Sequence, residues 1–126
     1  MQITDDRTDP KSLAILGDEA TALLRSGDFT GLVERFGYAV AFDRDPASAI
    51  REDLSFSLNG MGATGLGPPP DSPPSVSYFK PDDSGLFALV EQRVPTDNGG
   101  HVLLELIVTS RGPNKYVSLE HISDAA

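Results

Sequence analysis

Glu91, Arg93 and His121 supply a carboxylate, a guanidinium and an imidazole, the groups from which proton transfer and anion binding are built. No other pattern in the chain is better suited to catalysis. There are two histidines, His101 and His121, without the His-Glu-x-x-His spacing of a zinc site, and no Gly-x-Ser-x-Gly elbow to present a serine nucleophile. The absence of cysteine removes thiolate metal sites, thiol nucleophiles and disulfides together. Asp43-Arg44-Asp45 holds an Asp-x-Asp pair, but a calcium loop needs further oxygens at alternate positions and a glycine, and Pro46-Ala47 supply neither. Asp45 is better placed as a helix cap. Gly60-Met-Gly62-Ala-Thr-Gly65 has the letters of the dinucleotide fingerprint, with Asp82 about twenty residues on. That motif works only with a strand before it and a helix after it, whereas here a helix precedes and Pro68-Pro-Pro70 follows. No cofactor and no metal are expected.

The elements that must position these groups are legible from caps and periodicity. Asp9 followed by Pro10 starts a first helix, whose Leu13, Leu16, Ala20, Leu23 and Leu24 share one face and whose end is marked by Gly27. Asp28 or Thr30 caps a second, shorter helix carrying Leu32, Val33 and Phe36, broken by Gly37. In residues 38–42 the large side chains Tyr38, Val40 and Phe42 alternate, the pattern of a short strand. Asp45-Pro46 repeats the cap-plus-proline start and predicts a third helix through Ala49, Ile50, Leu54 and Leu58 to Asn59-Gly60. Residues 60–75 hold four glycines and five prolines and have no period, so they form a loop. Four strands follow, over residues 76–80, 86–94, 101–109 and 116–122, with Gly/Pro/Asn/Asp turns between them. Helices followed by an antiparallel meander predict an α+β fold in which the helices pack on one sheet face. Residues 10–126 make one domain, and residues 1–9 read as a flexible N-terminus.

Symmetric closure of the turns sets Val94 opposite His101, Val90 opposite Glu105, and Glu105 opposite Glu120. That register sends Phe87, Leu89, Val102, Leu104, Leu106, Val108, Val117 and Leu119 towards the helices, with Glu91, Arg93 and His121 at the end of the same face. There they are either the polar groups of a small-molecule pocket or a rim where charges reach water. The other face carries Val90, Gln92, Leu103, Glu105, Ile107, Ser118, Glu120 and Ile122. Its mixture of apolar and acidic side chains makes Gln92, Leu103, Glu105 and Glu120 the expected contact surface for a partner or for a homodimer.

A net charge of −9 argues against nucleic acid and against anionic membranes. It serves solubility, and it also suits a basic protein partner. No segment approaches the ~20 apolar residues of a membrane helix, and residues 1–10 lack the basic-then-apolar pattern of a secretory signal, so the expected location is the cytoplasm.

The succession of a helix ending in Leu24-Arg-Ser-Gly27-Asp28-Phe29, a second helix, a short strand, a capped helix and a meander resembles the cystatin-like α+β roll of nuclear-transport-factor-like domains. The closing stretch from Val102-Leu-Leu-Glu-Leu-Ile-Val to Val117-Ser-Leu-Glu-His-Ile122 also resembles small bacterial domains, some of which are immunity proteins encoded beside toxins. The first resemblance implies isomerases, dehydratases or non-catalytic binding modules, the enzymes using an Asp-His pair or a Tyr-Asp constellation inside the cone. The second implies an inhibitor of a basic toxin. Together with the charge, they lead to the expectation of a non-enzymatic binding domain of bacterial type. The alternative is a ligand pocket or enzyme of the nuclear-transport-factor-like type using Glu91, Arg93 and His121.

Overall fold

A computed structural model describes residues 1–125. Three helices precede the main run of strands: α1 (Pro10–Arg25), α2 (Phe29–Phe36) and α3 (Pro46–Gly60). Each begins where a side chain replaces the missing backbone partner: the Asp9, Asp28 and Asp45 carboxylates accept from the amides of Ser12, Gly31 and Ser48. Gly27 and Gly37, at φ 74° and 73°, terminate the first two in the left-handed region open to glycine.

The strands are β1 (Gln2–Ile3), β2 (Ser75–Tyr78), β3 (Leu86–Pro95), β4 (His101–Arg111) and β5 (Asn114–Asp124). They form one antiparallel sheet in the order β1-β5-β4-β3-β2, so β2 to β5 are the expected meander. The helices lie on one side of it, α1 over β3 and α3 over β5. Between them, Leu13, Leu24, Leu32 and Ile50 pack against Val90, Leu104, Leu106 and Leu119, all fully buried. Each such side chain removed from water contributes about 1.5–3 kcal/mol. The fold is therefore α+β with N-terminal helices on a C-terminal meander.

Near the N-terminus Gln2 and Ile3 pair with Tyr116 and Lys115, and a 3-10 turn follows at Asp5–Arg7. Three expectations are corrected. Residues 38–42 form no strand; Tyr38 alone bridges Leu119, and the chain turns away immediately. The β3–β4 register differs by one residue. The hairpin closes through residues 96–100, with Pro95 opposite His101 and the Thr96 amide donating to the Gly100 carbonyl at 2.8 Å, so Val94 faces Val102 and Glu91 faces Glu105. A slip of one residue turns over every side chain of the strand. Val90, Gln92 and Val94 consequently face the helices and are buried, whereas Leu89, Glu91 and Arg93 lie on the opposite side. Between β4 and β5 the expected register holds from Arg111↔Asn114 to Leu106↔Leu119, then a bulge shifts it to Glu105↔His121 and Leu104↔Ile122. The extra residue moves Ile122 into the core and His121 out of it.

Candidate functional site

The side of the sheet away from the helices gathers nearly all the residues with chemical potential. Ser75, Glu91, Glu105 and His121 stand in one cross-strand row over β2, β3, β4 and β5. Arg93, Leu103 and Ser123 form the row on one side of it, and Leu89, Ile107 and Ser118 the row on the other. Glu120 is the extra residue of the bulge, so it and His121 both approach Glu105. The two expected groups, Glu91, Arg93 and His121 on one face and Leu103, Glu105 and Glu120 on the other, thus become neighbours. Gln92 is the exception. It is 4% exposed on the helix side, and its amide nitrogen donates to the carbonyls of Ser72 at 3.3 Å and Arg93 at 3.1 Å.

Glu105 is the electrostatic centre of this face. Partial burial, then the Glu91 carboxylate and more weakly that of Glu120, raise its carboxyl above the ordinary range, with His121 opposing. Like charges directly opposite each other in a sheet oppose folding by about 0.2–1 kcal/mol. Among the described residues, no ion pair relieves Glu105.

Glu91 and Arg93 line a cavity of about 460 Å³ between the β3–β4 hairpin and the proline loop, together with Asp71, His101 and Leu103. His121 does not line it. The expected trio therefore does not converge on one enclosed cavity beneath the helices: the register puts all three residues on the outer side, and the bulge takes His121 to a second groove.

That groove, about 560 Å³, runs beside β5. Its walls are His121 to Asp124 on one side and Val40, Phe42, Arg44, Asp53 and Phe56 on the other. Here the structure shows an organised polar cluster with no forewarning in the sequence. Asp53, on α3, accepts from Arg44 Nη1 at 2.9 Å and Nη2 at 3.2 Å and from the Tyr38 hydroxyl at 2.5 Å. Burial alone would raise the Asp53 carboxyl, but the hydrogen bonds from Arg44 and Tyr38, with the Arg44 charge, outweigh it and hold the group below the usual carboxylate range. Burial and then Asp53 push the Tyr38 phenol up. Arg44 also donates to the carbonyls of Val40 at 2.8 Å and Ala41 at 3.1 Å, and to Glu52 at 3.3 Å. Tyr38 and Asp53 thus form a hydrogen-bonded pair. Its carboxylate is committed to Arg44, and the cluster fastens the segment between α2 and α3 to the fold.

Phe42 and Phe56 flank this groove and are 83% and 81% exposed. One signal for Phe56 was present in the sequence, since it falls off the apolar stripe of α3 between Ser55 and Ser57. No local signal joins Arg44 to Asp53, because neither spacing nor periodicity predicts that contact. Asp45 caps α3, accepting from the Ser48 amide at 3.0 Å, and no group of three metal-ligating side chains occurs among the described residues. No helix among them is long and apolar enough to cross a membrane. Comparisons of the chain with family models, with curated proteins and with solved structures give no match.

Proposed function

We propose that this chain is a non-catalytic protein-binding domain that receives a basic partner on the uncovered face of its sheet. The observation carrying this proposal is the Glu91–Glu105 pair, set directly across two strands with Glu120 beside it. An arginine or lysine laid between these carboxylates replaces a repulsion with charge-assisted hydrogen bonds. Leu89 and Leu103, both half-buried, supply apolar area to be covered in the same contact, and the overall charge of −9 steers basic proteins towards the chain. Fitting this role, the helices occupy the other side of the sheet and leave this one uncovered.

A bound cation favours the ionised form of Glu105, so affinity rises as pH climbs through the raised titration of that group. A hexa-arginine peptide is the probe. In a nuclear magnetic resonance titration it shifts the amides of Leu103, Glu105 and His121, and high salt abolishes the effect. Shifts confined to other surfaces, or unchanged affinity in Glu91→Gln and Glu105→Gln, would refute the proposal.

A further inference from the structure

The outer edge of β5 is capped for only part of its length. Met1 and Val117 exchange backbone hydrogen bonds at 3.0 and 2.7 Å, β1 covers Tyr116 and Lys115, and Ala39 donates to the Leu119 carbonyl at 2.9 Å. Beyond Leu119, no strand or bridge among the described residues pairs with β5 on the side away from β4. The pairs Glu105↔His121 and Leu103↔Ser123, with the Ala125 amide donating to the His101 carbonyl at 3.1 Å, turn the odd-numbered backbone groups of this stretch towards β4. Antiparallel ladders alternate, so the N–H and C=O groups of Ile122 and Asp124 point outward.

The groove lies along this edge. It is lined by consecutive residues of β5, His121 and Ser123 from the outer face together with Ile122 and Asp124 from the inner. A cavity touching side chains of both parities runs beside a strand, not over one of its faces. Proteins ordinarily blunt such an edge with charge, proline or a covering loop. This one sets an apolar rail along it. Phe56 stands on the solvent side of α3, and Phe42 is held at φ 57°, a conformation uncommon for a bulky side chain. The guanidinium of Arg44, tied to Val40, Ala41 and Asp53, locks the segment that presents Phe42.

We infer that the unpaired end of β5 accepts an added strand from an extended partner peptide with alternating apolar and basic side chains, the apolar ones seated between Phe42 and Phe56. Backbone hydrogen bonds to Ile122 and Asp124 supply the ladder, and the rail supplies the preference for alternate apolar side chains. Charge selects the basic ones. The groove's single guanidinium is already paired with Asp53 and Glu52, Asp124 lies at the edge without an ion pair among the described residues, and the chain as a whole is strongly acidic. A second copy of this chain would bring like charge against like. The inference rests on the proposed binding role only in taking the partner to be a protein, and it uses a different surface.

The test is amide hydrogen exchange with a capped octapeptide alternating valine and lysine. Bound peptide slows exchange at Ile122 and Asp124 by about tenfold or more, the protection expected of new ladder hydrogen bonds. The same peptide N-methylated on alternate residues does not bind. Phe56→Ser, a change at an exposed position that leaves the core intact, weakens binding about tenfold. Three results overturn the inference: no protection at the β5 edge, equal binding of the N-methylated peptide, or protection that grows with protein concentration in the absence of peptide, which would make the occupant a second copy. Failure of the hexa-arginine titration at Glu105 with the edge protection intact refutes the proposed face and leaves the edge standing; the converse refutes the edge.

Discussion

Replacing Asp53 with asparagine keeps the shape of the side chain and removes its charge, which isolates the contribution of the Arg44–Asp53–Tyr38 cluster. The carboxylate accepts three hydrogen bonds, from Arg44 Nη1 and Nη2 and from the Tyr38 hydroxyl. A carboxamide offers one acceptor oxygen, and its NH₂ group must face a donor. Hydrogen bonds to charged groups contribute about 1.5–3 kcal/mol when well buried. The Arg44 and Asp53 side chains are 35% and 26% exposed, which places the loss at the low end, about 1.5–2 kcal/mol. For a chain of this length that lowers Tm by about 5–8 °C. The sign of the pH dependence is set by the direction of the shift. Because the folded carboxyl of Asp53 titrates below its ordinary range, its stabilisation is fully present above the unfolded-state value and is lost as pH falls through the folded one. Thermal unfolding followed by circular dichroism at neutral pH should separate the parent protein from Asp53→Asn by that interval, and the two should converge in strong acid. Equal Tm values at neutral pH, or a gap that persists in acid, would refute the assignment of Asp53 as a charged anchor.

Other consequences follow the same physics. Glu105→Gln should stabilise the isolated chain at neutral pH by up to about 1 kcal/mol, read from chemical denaturation. With the Glu105 carboxyl raised in the fold, ionisation costs stability as pH rises through its titration, so the gain vanishes once the parent residue is protonated. Phe42→Gly should relieve the left-handed backbone and raise stability by about 0.5–1 kcal/mol while weakening the valine–lysine peptide at the β5 edge; a destabilised variant with undiminished binding would contradict both points. Gly67→Ala should cost about 2 kcal/mol or more in a denaturation series, because the added carbon would stand 2.5 Å from the Thr96 carbonyl oxygen, a backbone atom fastened in the hairpin.

The helices were legible in the sequence because their determinants are local. Asp9-Pro10 and Asp45-Pro46 carry both the cap and the first-turn proline within two residues, and Gly27 and Gly37 mark ends that require a left-handed backbone. The meander was legible for a related reason: its turns are dense in glycine, proline and asparagine, and its strands alternate. Register was not, since it depends on how each turn closes. The Thr96–Gly100 hydrogen bond tightens one hairpin by a residue, and the bulge at Glu120 shifts the other only beyond Leu119. Those two details moved Glu91, Arg93 and His121 from the core side to the outer one, and Gln92 the opposite way.

The amino-acid sequence by itself determined the α+β class, the placement of three capped helices before an antiparallel meander, and the net charge of −9. Each of these follows from composition or from interactions spanning a few neighbouring residues. Tertiary structure alone decided which side chains share a surface. The Glu91–Glu105–His121 row and the groove between Phe42, Phe56 and the end of β5 join residues distant along the chain. Such contacts exist only once helix packing, one hairpin closure and one bulge have fixed the directions in which those side chains point.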